Sequence, residues 1–330
     1  MQRETLTANS LKTITWFNNT IVDWASVGNQ YLFDGKIKQL EKYHFGFNFD
    51  GAITSADGKY QFIYIRLGTK GLLLKEGKIL REINRSYYCA DVYEYPAAFL
   101  TRKDVTYLIH CPIAYNQLDF ENVETGELTT NITGRQPSDV FHSRLEISPN
   151  NSYLISKGWF WHPLDVIEVF NIENCFSNPS LLDKSTLYPD VGVEVCTASF
   201  ISNDKILIGS SDEIIDDDNL KKFPPKHISV WDLKTDQLSK PVSINVEFGN
   251  LFVINESFAW DLFNYPKIIN INTGEVIDRD EEFNSGNQRS SIIHHLENPP
   301  QIIFNKETKQ IAVSGKEKIE IFTPDVSIIY

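Results

Sequence analysis

Residues 81–96 read REINRSYYCADVYEYP and place Arg81, Arg85, Tyr87, Tyr88, Asp91, Tyr93 and Tyr95 in one short stretch. Downstream, KGWFWHPLD at 157–165 adds Trp159, Trp161 and His162. Tyr and Trp combine a broad apolar face with a polar tip. Such rings can stack on a sugar, a base or a peptide, and they anchor protein interfaces. The alternative is that the same rings seal packed joints and satisfy their hydroxyls locally. Arg81, Arg85 and Arg144 can each clamp a carboxylate or phosphate with two parallel hydrogen bonds. Equally, they can form internal ion pairs with Glu82, Asp91 or Asp165.

Three further groupings carry possible chemistry. His110, His142 and His162, with Cys89 and Cys111, supply nitrogen and sulfur ligands for a metal. Their spacing contains no CxxC and no HExxH, and no orienting group is apparent for a Cys–His nucleophile. The run Asp212, Glu213, Asp216, Asp217 and Asp218 carries five acids and no base. It lacks the spacing and central glycine of a calcium loop, so it reads as a solvated loop or a contact for a basic partner. Ser285–Ser291, which contains Gln288, is polar enough to bond a ligand or to cap strand ends. There is no GxSxG, no P-loop and no dinucleotide glycine fingerprint. No catalytic residue and no metal ligand is therefore assigned.

The elements that must position these residues are short strands. Helical periodicity is nearly absent. Apolar or alternating runs recur instead, separated by Asn, Asp and Gly turns. One pair of runs is typified by GLLLKEGKIL (71–80), LDFENVETGEL (118–128), ISVWDLKTDQL (228–238) and IININTGEV (268–276). IEVFNIENC (167–175) and IEIFTPDVSI (319–328) are weaker copies. Each copy follows another pair, such as AITSADGKYQFIYIR (52–66) or RLEISPNNSYLIS (144–156). Seven four-strand units result. A four-stranded sheet with two apolar faces cannot stand alone, and radial packing buries both faces. The expected fold is all-β: a seven-bladed β-propeller of four-stranded antiparallel blades. It forms a single domain over 1–330, with blades near 11–42, 45–84, 96–130, 141–175, 194–243, 248–279 and 299–330. A two-sheet sandwich or a solenoid is the alternative. The last blade closes either on 321–330 alone or with a strand from residues 2–9.

The segment VWDLKTDQL (230–238) resembles the end of a WD repeat, with Trp231 and Asp232 in the dipeptide position. Trp260 and Asp261 repeat the pair at the end of a second strand. The Gly-His pair that opens many WD repeats does not occur. The resemblance is to WD-like propellers in general. In addition, 81–96, 141–163 and 285–292 resemble stretches of a bacterial family of propeller-like proteins that has no assigned activity. That resemblance implies a fold and no mechanism.

In a propeller, first-to-second and third-to-fourth turns share one face. Second-to-third loops and blade links share the other. The first set here is plain hairpin chemistry, as in ADGK (56–59) and SNDK (202–205). The second set holds 81–96, HCPIAYNQ (110–117), FHSR (141–144), 157–165, the acidic run and 278–300. Binding residues concentrate on loops held by a rigid scaffold. The expected partner-binding residues are Arg81, Arg85, Tyr87, Tyr88, Asp91, Tyr93, His110, His142, Arg144, Trp159, Trp161, His162 and Gln288. They describe a non-enzymatic scaffold that binds a protein or a small polar ligand and needs no cofactor. The alternative is a glycosidase, lactonase or lyase working in the axial mouth of the same face, with Asp91 and Asp165 as the carboxylate pair. The net charge of −13 argues against nucleic acid. No apolar run suits a signal peptide or a membrane span, and four irregular cysteines make no disulfide framework. A cytoplasmic monomer is expected.

Overall fold

Seven antiparallel sheets follow one another along the chain. The structure is a computed structural model that describes residues 1–41 and 44–329, with the side chain of Asp218 outside the description. Blade 1 contains Thr15–Phe17, Thr20–Asp23, Asn29–Tyr31 and Ile37–Gln39 in spatial order. Blade 2 contains Gly51–Thr54, Tyr60–Tyr64, Lys70–Lys75 and Lys78–Asn84. Blades 5 and 6 begin at Val193–Phe200 and Leu251–Val253 and have the same meander. The hairpins turn at the expected Asn, Asp and Gly positions. Gly58, Gly77 and Gly274 all have positive φ, which only glycine adopts without strain.

Blades 3 and 4 depart from four full strands. Blade 3 is Ala98–Arg102, Val105–His110 and Asp119–Asn122, with the fourth position reduced to a bridge between Glu121 and Leu128. Blade 4 is Glu146–Ile147, Tyr153–Phe160 and Leu164–Asn171, with a bridge from Val169 to Leu187. The second half of IEVFNIENC is a helix, Ile172–Ser177. Asn171 caps it by accepting the Asn174 amide, which outweighs the alternating pattern.

Apolar packing shows why the sheets form a ring. Seven buried clusters each join two neighbouring blades among the described residues. Phe62 and Leu73 of blade 2 meet Leu108 and Val123 of blade 3, for example. Trp260 of blade 6 meets Val313 and Phe322 of blade 7. The indole N–H groups of Trp231 and Trp260 donate to Asp236 and to the Lys309 carbonyl, so both rings are buried without an orphaned polar atom.

The ring closes through the N-terminus. Gln2–Thr7 pairs antiparallel with Lys318–Thr323 as the outer strand of blade 7. Among the described residues, those from 324 to 329 turn into the helix Val326–Ile329 and add no strand. Leu6 enters the cluster shared by blades 7 and 1. Beneath the new strand, buried Glu320 accepts hydrogen bonds from Arg3 at 3.1 Å and Thr5 at 2.7 Å, and Lys318 lies 2.6 Å away. The Met1 ammonium bonds Asp278, and Arg3 reaches Asp280 at 3.3 Å. Asp278 and Asp280 therefore help to hold the closure.

Candidate partner-binding face

The link from blade 2 to blade 3 is folded around one buried cation. Arg85 is only 3% exposed. Its Nε donates to the Gly68 carbonyl at 2.8 Å. Its Nη2 donates to Ala90 at 2.7 Å, Tyr93 at 2.8 Å and Arg66 at 3.2 Å. The guanidinium lies 4.5 Å from the Tyr93 ring centre and 4.8 Å from that of Tyr95. Backbone carbonyls and ring faces, with no carboxylate, hold the charge, and burial works against it. Arg85 thus ties the blade 2 loop to the link and turns Tyr93 and Tyr95 inward. The intervening turn, in which the Ala90 amide donates to the Tyr87 carbonyl, carries Tyr87 and Tyr88 outward.

Tyr88 lands on an aromatic pedestal. Phe141 and Trp159 stack at 4.0 Å with planes 7° apart, and Tyr93 meets both edge-on. Phe141 lies this close because its strand bridges Trp159 beside Gly158, where a Cβ would meet the Phe141 carbonyl at 2.2 Å. Tyr88 stacks over Phe141, while Tyr115 packs against both. Trp161 stands edge-on to Phe141 and Trp159. The base is buried and the top is open: Tyr88 is 47% exposed and Trp161 45%, and the adjoining loops expose Tyr87 (84%) and Ile113 (50%). Tyr93, Phe141 and Trp159 form an eighth buried cluster beside the seven inter-blade ones, with Val92, Tyr115 and Ile292 packed against it. Exposed His162, at φ +90°, follows Trp161 in the turn.

Most of the other expected binding residues are buried or paired. Arg81 belongs to the outer strand of blade 2. It bonds Glu121 through Nε at 2.8 Å and the Val123 carbonyl at 2.8 Å, which makes it an inter-blade tie. His110 is buried against the same Glu121 at 2.8 Å. His142 is buried 3.0 Å from the Ser156 hydroxyl, and burial pushes its pKa down to about 4. Nearby Glu168 is pushed up to about 7 by burial. Tyr93 and Trp159 form the pedestal and present no open ring. Cys111 is buried, with its thiol pKa pushed up. The structure does not bring these histidines and cysteines together: among the described residues no group of three His, Cys, Asp or Glu side chains could hold a metal. Asp91 is exposed in the Tyr88 turn, whereas Asp165 is buried.

Arg144, Gln288 and Asp165 belong to the axis. Residues 285–300 run across the mouth on the loop-rich face. Gly286 bridges Asn264 of blade 6, and Ile292 bridges Tyr93 on the far side. Between them Gln288 donates to Glu94 at 2.7 Å, and Ser290 donates to Asp165 at 2.8 Å. Arg144 donates to the Arg289 carbonyl and to Asn250, and lies 3.6 Å from Asp165. Burial raises the Asp165 pKa to about 7. Beneath this strap lies a cavity of about 230 Å³ walled by Ile14, Ala52, Leu251, Ile303 and the charged Arg66 and Lys157. Arg144 is already spent on the strap and is not a free clamp.

Phe141, Tyr115 and Asp139 were not among the expected binding residues, yet ring contacts and the Tyr115–Asp139 bond place them in the patch. Phe141 and Tyr115 lie in FHSR and HCPIAYNQ, two segments already marked as unlike plain turns. No helix among the described residues is long and apolar enough to cross a membrane.

No family model and no curated protein matches the chain. Among solved structures, a chain of "Crystal Structure of Mitotic Checkpoint Complex" superposes with a TM-score of 0.60, over 97% of this chain and 91% of that one, at 10% identity. At that identity the likeness shows the fold alone, and the fold is a seven-bladed β-propeller.

Proposed function

We propose that the protein is a non-enzymatic, WD-like interaction scaffold, akin to the bacterial propeller family named above. It works as a cytoplasmic monomer and binds a protein partner through the patch of Tyr88, Tyr115 and Trp161, with exposed Tyr87 and Ile113 in the adjoining loops. The observation that carries this reading is the half-exposure of Tyr88 and Trp161 on a rigid, fully buried pedestal. Contiguous exposed aromatic surface rimmed by polar groups marks interaction sites. Support also comes from the solved neighbour, a propeller found within a protein complex. The enzymatic alternative would have to work in the axial cavity, whose mouth the 285–300 strap crosses.

The test is the double substitution Tyr88→Ala with Trp161→Ala. Both rings are half in solvent, so the melting temperature should move by less than about 3 °C. A protein specifically retained from lysate by the wild type should be lost. Unchanged retention would refute the reading.

A further inference from the structure

The patch is apolar at its centre and anionic at its rim. Asp91 is exposed in the turn that carries Tyr88. Asp139 is exposed and accepts the Tyr115 hydroxyl at 2.6 Å. Burial and Asp139 together push the Tyr115 pKa up to about 12, so the phenol stays neutral beside the carboxylate. Among the described residues, neither carboxylate has a basic nitrogen within 4.0 Å. Three other acids of this face are paired: Glu94 with Gln288 and Arg66, Asp165 with Ser290 and Arg144, and Asp212 with Lys226.

Taking this patch as the binding site, we infer that its occupant is an arginine-bearing segment of a partner protein, with the guanidinium laid on the open rings of Trp161 and Tyr88 and its charge met by Asp91 and Asp139. Any partner that covers those rings also dehydrates the two rim carboxylates. An apolar segment leaves them without compensation, and an acidic one is repelled. A cationic side chain gains from both ring and carboxylate. Arginine suits the site better than lysine, because its flat guanidinium stacks on rings and bonds carboxylates through a fork of donors. The chain's net charge of −13 draws such a segment in at long range.

The probe is a fluorescently labelled peptide of alternating Gly and Arg, with Gly–Lys and Gly–Glu counterparts, read by anisotropy at low and physiological ionic strength. The Arg peptide should bind tightest and weaken with salt, and the Glu peptide should not bind. Asp91→Asn with Asp139→Asn keeps shape and hydrogen bonding and should weaken the Arg peptide about fivefold, with a flatter salt dependence. Trp161→Ala should weaken it about tenfold. Arg and Glu peptides binding alike, or an unchanged affinity in the double Asn variant, would overturn the inference. If that happens while Tyr88→Ala with Trp161→Ala still loses its retained protein, the cation chemistry falls and the patch stands. If retention also persists, the patch falls with it.

Discussion

Deleting residues 2–7 should lower the thermal midpoint by about 5–10 °C, or leave the chain insoluble when expressed. The strand contributes backbone bonds along the whole of Lys318–Thr323 and inserts Leu6 between blades 7 and 1. Losing a buried leucine costs about 2–5 kcal/mol, and stripping partners from a buried carboxylate costs a similar amount. The deletion also uncovers a new sheet edge, which invites edge-to-edge association. Acid should reproduce part of the loss. Burial alone would raise the Glu320 pKa, but hydrogen bonds from Arg3, Lys318 and Thr5 hold it down to about 2. A depressed carboxylate pKa gives stability that is full above its unfolded value near 4.5 and is lost as pH falls towards 2. The gap in melting temperature between the full chain and the deletion should therefore narrow between pH 5 and pH 2. A synthetic peptide of residues 1–9 should restore part of the midpoint. A deletion with an unchanged melt would show that the ring does not need this strand.

Arg85→Ala should be the most damaging single substitution near the patch, at about 4 kcal/mol by urea unfolding. It orphans the carbonyls of Gly68, Ala90 and Tyr93 and opens a void beneath Tyr93 and Tyr95. Arg85→Lys should recover little, because one ammonium cannot span the Gly68 carbonyl and the Ala90–Tyr93 pair as the planar fork does. Amides of residues 86–92 should lose exchange protection in both variants. Wild-type stability in Arg85→Ala would mean that the link is held by something other than this cation.

Local chemistry decided which parts of the fold could be read from sequence. The tight hairpins were legible because Asn, Asp and Gly at positive φ are required by geometry, and the seven-unit count followed from them. The fourth strand of blade 4 was not legible. IEVFNIENC alternates like a strand, and its helix depends on a cap at Asn171 that competes at the same residues. Closure of the ring could not be decided from local pattern, since Gln2–Thr7 is paired by residues at the far end of the chain.

The site divided in the same way. The crowding of aromatics into two links was visible, but tyrosines of identical type ended on opposite sides of the surface. Tyr87 and Tyr88 face solvent, while Tyr93 and Tyr95 turn in under Arg85. That sorting is made by an arginine bonding distant carbonyls and by Phe141 meeting Trp159, neither of which leaves a periodic trace. The same holds for Arg81 and Arg144, whose partners sit on another blade or on the strap, while His110 meets Glu121 across its own blade.

The central claim is that the protein works through the exposed aromatic patch of blades 3 and 4. Amide hydrogen exchange on the complex with a retained partner tests this most directly. Binding should slow exchange at 86–92, 113–116 and 160–163 and leave the opposite hairpin turns at 56–59, 202–205 and 272–274 unchanged. Protection confined to those hairpin turns, with the patch unaltered, would contradict the account.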